Sequence, residues 1–204
     1  MGVTYMRLGK PNESLPLFNE LLKLSRECGS GEELLLDIHN LAWAYSELEQ
    51  TKDAQRLFEE VANLSEKIGL QMCSTARASK NSLALLHIDN GHYQKSETML
   101  EEILDYNQRI LTLPNHDDNM LMLRTNLASV YIHQGRFQEA SESLWESKQI
   151  SSSYYGDGHP LTKRIREMLW WAYCSSGIID DNASIVFHEG VLYGQFEMPS
   201  RKTL

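Results

Sequence analysis

Apolar residues recur along this chain at helical spacing. Ala54, Leu57, Phe58, Val61, Leu64 and Ile68 step by three and four and make one stripe, as in an amphipathic helix. The pattern covers nearly the whole chain. It predicts ten helices, over residues 1–9, 12–28, 31–48, 51–67, 70–90, 93–111, 116–134, 137–154, 159–177 and 180–195. His159-Pro160 opens the ninth, with proline at a first helical position where its missing N–H costs little. Pro16 is expected near a helix start, Pro114 in a loop, and no proline in a helix interior.

The helices come in pairs, and the pairs repeat. Tyr5, Tyr45, His87, Tyr131 and Tyr173 share one phase, at separations of 40, 42, 44 and 42 residues. Four residues after each stands Gly9, Glu49, Gly91, Gly135 or Gly177. A helix must end there and the chain reverse, and glycine tolerates the left-handed backbone of a helix C-terminus. Nine after each comes a small residue: Ser14, Ala54, Ser96, Ala140, then Asn182 beside Ala183. Small side chains let two antiparallel helices approach closely. Thirteen after each comes Phe18, Phe58, Leu100, Leu144 or Val186, large enough to fill the space toward the next pair. One helix pair cannot bury both its faces, so the pairs must stack. The expectation is an all-α solenoid of about five helix-turn-helix repeats in a single domain over 1–195. The repeats run over about 1–30, 31–69, 70–112, 116–155 and 159–195, with a disordered tail at 196–204.

Composition narrows the function more than the fold. With 42% hydrophobic and 23% charged residues in 204, the chain is an ordinary globular protein, and 5 Pro and 12 Gly imply short loops. Nineteen basic against 28 acidic residues give a net charge of −9. That balance argues against a broad nucleic-acid surface, which needs Lys and Arg to neutralise phosphates, and favours basic partners. Cys28, Cys73 and Cys174 show no metal-ligand spacing and are read as thiols in a reducing compartment. No run approaches the roughly 20 apolar residues of a membrane span, and no secretory signal opens the chain. A cytoplasmic protein without membrane contact is expected.

Catalytic patterns are missing. The seven histidines are scattered, with no HExxH spacing, and the nucleotide-binding and nucleophile-elbow motifs do not occur. His116 and Asp117 are read as a polar loop rather than an ion site. The chain is expected to be no enzyme and to hold no cofactor or metal.

The columns resemble a known family. The run from Leu127 to Leu144, Leu-Ala-x-x-Tyr…Gly-x-Phe…Ala-x3-Leu, looks like a tetratricopeptide repeat (TPR). Its period exceeds the ~34 residues of the ordinary repeat. It is similar to the longer repeat of kinesin light chains and related fungal and bacterial proteins. The matching segments are Asn126-Leu127-Ala128 at the start, Gln134-Gly135-Arg136-Phe137-Gln138-Glu139-Ala140 at the turn, and Gly156-Asp157-Gly158-His159-Pro160 between repeats. Glu49 at the glycine position and His87 at the tyrosine position depart from that pattern.

The resemblance implies a right-handed superhelix whose first (A) helices line a concave groove that binds a peptide or partner helix. Counted from the tyrosine column, the positions six and two before it and one and two after it are expected to face that groove. They are His39, Trp43, Ser46 and Glu47; Asn81, Leu85, Ile88 and Asp89; Thr125, Ser129, Ile132 and His133; and Glu167, Trp171, Cys174 and Ser175. Arg164 should join them, and the first repeat offers Val3, Met6 and Arg7. Trp43 and Trp171 share one column and are candidate anchors, as aromatic residues are enriched at binding hot spots. Either could instead pack as core. Asn40, Asn81 and Asn126 fall where such repeats can hold a peptide backbone; an interhelical hydrogen bond is the alternative. A clamp for a terminal carboxylate is disfavoured, because Arg7 and Arg164 are the only groove cations and lie at opposite ends of the sequence.

The expected function is therefore a protein-interaction scaffold or adaptor. The alternatives are a regulatory or sensor TPR domain of a larger signalling protein, or a structural subunit whose groove or end another chain fills. The apolar last helix, with Ile185, Val186, Phe187, Val191, Leu192, Tyr193 and Phe196, further suggests end-to-end self-association or missing flanking repeats.

Overall fold

The structure is a computed structural model that describes residues 1–28 and 31–176 and the backbone of 186–188 and 191–193. Nine of the ten expected helices occur among the described residues: α1 Gly2–Arg7, α2 Pro11–Cys28, α3 Glu32–Glu47, α4 Thr51–Lys67, α5 Ser74–Asp89, α6 Tyr93–Arg109, α7 Asp118–His133, α8 Phe137–Tyr155 and α9 Pro160–Ser176. The fold class is all-α and TPR-like.

Each helix pair closes in the same way. The residue five after the tyrosine column donates its backbone N–H to the column residue's carbonyl: Lys10 to Tyr5 at 2.9 Å, Gln50 to Tyr45 at 2.9 Å, His92 to His87 at 2.8 Å and Arg136 to Tyr131 at 2.8 Å. This bond belongs to a helix end with one left-handed residue. Gly9, Gly91 and Gly135 take that place with φ of 67°, 74° and 75°, and Glu49 takes it with φ of 59°. The carbonyls that would be orphaned at the helix end are thereby satisfied.

The interior columns are buried as their sizes require. Ser14, Ala54, Ser96 and Ala140 are fully buried, and so in effect are Phe18, Phe58, Leu100 and Leu144. Two compact units result, Met1–Pro114 and Asn115–Leu204. In the first, α1 to α6 enclose a core that includes Phe18, Leu35, Ile38, Ala42, Phe58 and Val61. In the second, Ala128, Ala140, Leu144, Ile165, Leu169 and Tyr173 pack between α7, α8 and α9. Caps set two of the helix starts. The Asp117 carboxylate accepts from the N–H groups of Asn119 at 2.9 Å and Met120 at 3.3 Å, and the Cys73 thiol accepts from Ala76 N at 3.4 Å.

Two expectations need correction. Pro16 lies inside α2, in the second turn of a helix that opens at Pro11. Exposed and early in the helix, it removes one i to i−4 bond, the one to the Asn12 carbonyl in the first turn. The helix expected over 180–195 is not formed at 186–188 or 191–193. Val186–His188 and Val191–Tyr193 pair there as antiparallel strands, with Val186 opposite Tyr193. Gly190 and Gly194 interrupt the apolar run, β-branched and aromatic residues fill it, and all of these disfavour helix. Gly177, Asn182, Ala183 and the tail from 196 lie outside the described residues.

Candidate protein-binding surface

In the first unit, α3 and α5 lie side by side. His39 Nδ1 and the Ser79 hydroxyl meet at 2.8 Å across them, and the His39 ring sits 5.7 Å from that of Phe58. Burial lowers the His39 pKa to about 4, so the imidazole is neutral at physiological pH. This histidine is a fastener between A helices rather than a groove ligand.

One stripe of each A helix reaches solvent. On α3 it runs Glu32, Leu36, Trp43, Glu47, and on α5 it runs Ser74, Ala78, Leu85, Asp89, with the two series in the same register. Trp43 is half-buried and donates its indole N–H to Glu47 at 3.1 Å, which fixes the ring against the helix. Leu85 is 37% exposed, Leu36 46% and, on α1, Val3 38%. Asn40 and Asn81 are half-buried beside the stripe.

The second unit repeats the arrangement with other residues. Trp171 is 50% exposed and meets Phe137 edge to face at 6.3 Å. Ser129 is half-buried; His133, Arg164, Glu167, Cys174 and Ser175 are exposed. Met122, at the position of Leu36, is 39% exposed.

Several expected groove residues are interior. Ile88 and Ile132, one after the tyrosine column, are buried, and so are Met6 and Thr125. The Thr125 hydroxyl donates to the Leu121 carbonyl at 2.7 Å within its own helix. Asn126 is only 3% exposed, so the interhelical alternative suits it better than a peptide contact. Leu36 and Met122 are surface residues outside the positions counted from the tyrosine column. Each stands seven residues before a stripe position, and two helical turns bring i and i+7 back to one face, so that spacing is the signal that finds them.

Away from this face, little invites chemistry. His116 stacks on Tyr154 at 3.9 Å, and its carbonyl accepts from the Tyr155 hydroxyl at 2.5 Å. Asp117 is spent on its cap, so both residues serve the loop. Among the described residues no group of three His, Cys, Asp or Glu could hold a metal ion. A shallow depression of about 370 Å³, lined by Lys80, Gln94, Lys95, Thr98, Met99 and Glu102, lies between α5 and α6 and not on the A-helix stripe. No described helix is long and apolar enough to cross a membrane.

Family models described as tetratricopeptide repeat match residues 1–67, and again 77–118 and 120–161. The chain belongs to the tetratricopeptide repeat family. Among solved structures, the putative kinesin light chain nearly identical TPR-like repeats of Podosopora anserina are similar at 24% identity and a TM-score of 0.72, over 87% of this chain and 84% of that one. BtubC (BKLC) from P. vanneervenii is similar at 18% identity and a TM-score of 0.74, over 86% and 70%. These likenesses concern the fold, and they place it with the longer, kinesin-light-chain-like form of the TPR. No curated protein sequence matches. As a class, TPR proteins are interaction scaffolds that use extended surfaces made by stacked helices, and they are typically not enzymes.

Proposed function

We propose that this TPR chain is an adaptor that binds a segment of a protein partner along the exposed stripes of its A helices. The observation that carries the reading is the column two residues before the tyrosines. Val3, Leu85 and Trp171 stand 38%, 37% and 50% exposed in it, and Trp43 is half-exposed. Partly exposed apolar side chains at this repeat position, within each unit, cost solvation free energy that a partner recovers on binding. Trp43 and Trp171 are the anchors. Leu85 and Ser129 occupy the same level, and Glu47, Asp89, His133 and Arg164 form the polar rim. Asn40 and Asn81, half-buried at the stripe's edge, are assigned the role of bonding a peptide backbone.

The test is a selection of phage-displayed peptides on the full chain, followed by affinity measurements. Selected peptides should lose affinity about tenfold or more with Trp43→Ala and Trp171→Ala together, as for hot-spot aromatics. Unchanged affinity in a double variant of native helicity would contradict the proposal.

A further inference from the structure

The charges bordering the first unit's stripe say what kind of segment it takes. Helix α3 carries Glu32, Glu33, Asp37 and Glu47 and no Lys or Arg. Glu32 and Glu47 lie on the stripe itself, on either side of Leu36 and Trp43, and Asp89 holds on α5 the position that Glu47 holds on α3. Glu32, Glu47 and Asp89 are exposed and make no ion pair among the described residues.

The cations of α5 do not offset them. Lys80 pairs with Glu102 on α6. Arg77 donates to the Met72 carbonyl at 2.5 Å and lies over the Tyr106 ring at 5.3 Å. Both are engaged away from the stripe. His39, between the two helices, is neutral above about pH 4. Arg7 occupies the matching level on α1. The α3–α5 strip is thus apolar along its middle and anionic at both ends of α3.

We propose that the α3–α5 face binds a basic amphipathic segment of a partner protein, in which apolar side chains cover Leu36, Trp43 and Leu85 while Lys or Arg residues meet Glu32, Glu47 and Asp89. The inference rests on the adaptor reading and adds the sign of the partner's charge. Unlike charges at an interface rim mainly raise the association rate and exclude wrong partners. The net charge of −9 extends the same preference to longer range.

The experiment titrates the full chain with a labelled Leu/Lys amphipathic peptide and with its Leu/Glu counterpart of equal length. The Leu/Lys peptide should bind. Its affinity should fall about fivefold for each carboxylate neutralised in Glu47→Gln and Asp89→Asn at low salt, and less at high salt. A control with Glu20→Gln and Glu101→Gln, exposed carboxylates on α2 and α6, should bind as the parent does. Equal weakening in the control shows general attraction to an acidic protein and overturns the inference. Tighter binding of the Leu/Glu peptide that is lost in Trp43→Ala overturns it too, yet leaves the adaptor reading standing. Binding of neither peptide also overturns it, and the adaptor reading is then judged by its own selection experiment.

Discussion

In the first unit the solvent-facing stripe of the A helices carries Leu36, Trp43, Leu85, Glu47 and Asp89; at the same levels the second unit carries Met122, Ser129, Trp171, His133 and Ser175. One is apolar with an acidic border. The other has one exposed tryptophan and a border of mixed charge, with Asp118 at the level of Glu32 and Arg164 in place of Leu36 on α9. Inside, the two are alike: a small residue, a large residue and a bond from the turn to the tyrosine-column carbonyl recur in both. Packing geometry constrains the interior columns of a repeat, while the outward columns are free to specialise. Mutation can break both the likeness of the interiors and the contrast between the units.

The large column should weigh equally in both units, and its loss should have the greatest effect. Phe58→Ala and Leu144→Ala each remove a fully buried side chain, and each should cost about 3 to 5 kcal/mol in chemical denaturation. A loss below about 1 kcal/mol in either would show that its unit does not rely on the column.

Acid should separate the units next. His39 in the first stands where the second has Thr125, which does not titrate. The folded His39 takes a proton only near pH 4, whereas an unfolded chain takes it near 6.5. Between those values the unfolded state holds more protons, so stability is full above about 6.5 and declines as pH falls toward 4. The loss is at most about 3 kcal/mol. His87, whose pKa is also lowered, chiefly by burial, adds a slope of the same sign. His39→Gln, which keeps a partner for Ser79, should flatten the His39 part of the acid limb. An unaltered pH profile would mean that His39 is not held neutral.

Changes at the turn should have smaller effects, of opposite sign in the two units. Glu49 holds a left-handed φ of 59° that Gly135 holds at 75° in the second unit. Glu49→Gly should stabilise by up to about 1 kcal/mol, and Gly135→Ala should destabilise by about 1 kcal/mol although its added carbon meets nothing within 4 Å. Equal signs would show that the backbone angle is not what matters there. The smallest effect is expected from the matched ion pair that joins A helix to B helix, Lys80 to Glu102 and Arg124 to Glu146. Lys80→Ala and Arg124→Ala should each cost under about 1 kcal/mol in denaturation, because one partner in each pair is largely exposed.

The fold was legible because each interior column answers one geometric demand and does so in several copies. Glu49 and His87 break their columns without moving the chain, as neighbouring copies and the shared turn bond hold the register. The surface was less legible. At roughly 100° per residue, the exposed positions on α3 and α5 fall within a narrow stripe, while the position one residue after the tyrosine column lies about 60° away, and on α5 and α7 it is buried. Hence Ile88 and Ile132 are interior, and Leu36 and Met122 are not. Asn126 follows the same logic: a flank position is exposed or buried according to the neighbouring helix, and a single helix's periodicity does not reveal that neighbour. At 186–188 and 191–193 the apolar content suits a helix, but the β-branched and aromatic residues there form strands.

The tryptophans provide the most direct test of the claim that the A-helix stripe is the binding surface. Trp43 and Trp171 lie on the stripe, whereas Trp145 and Trp170 are half-buried off it. In a two-dimensional NMR titration with a selected peptide, the indole N–H signals of Trp43 and Trp171 should move while those of Trp145 and Trp170 stay in place. Movement confined to Trp145 and Trp170 would contradict the account.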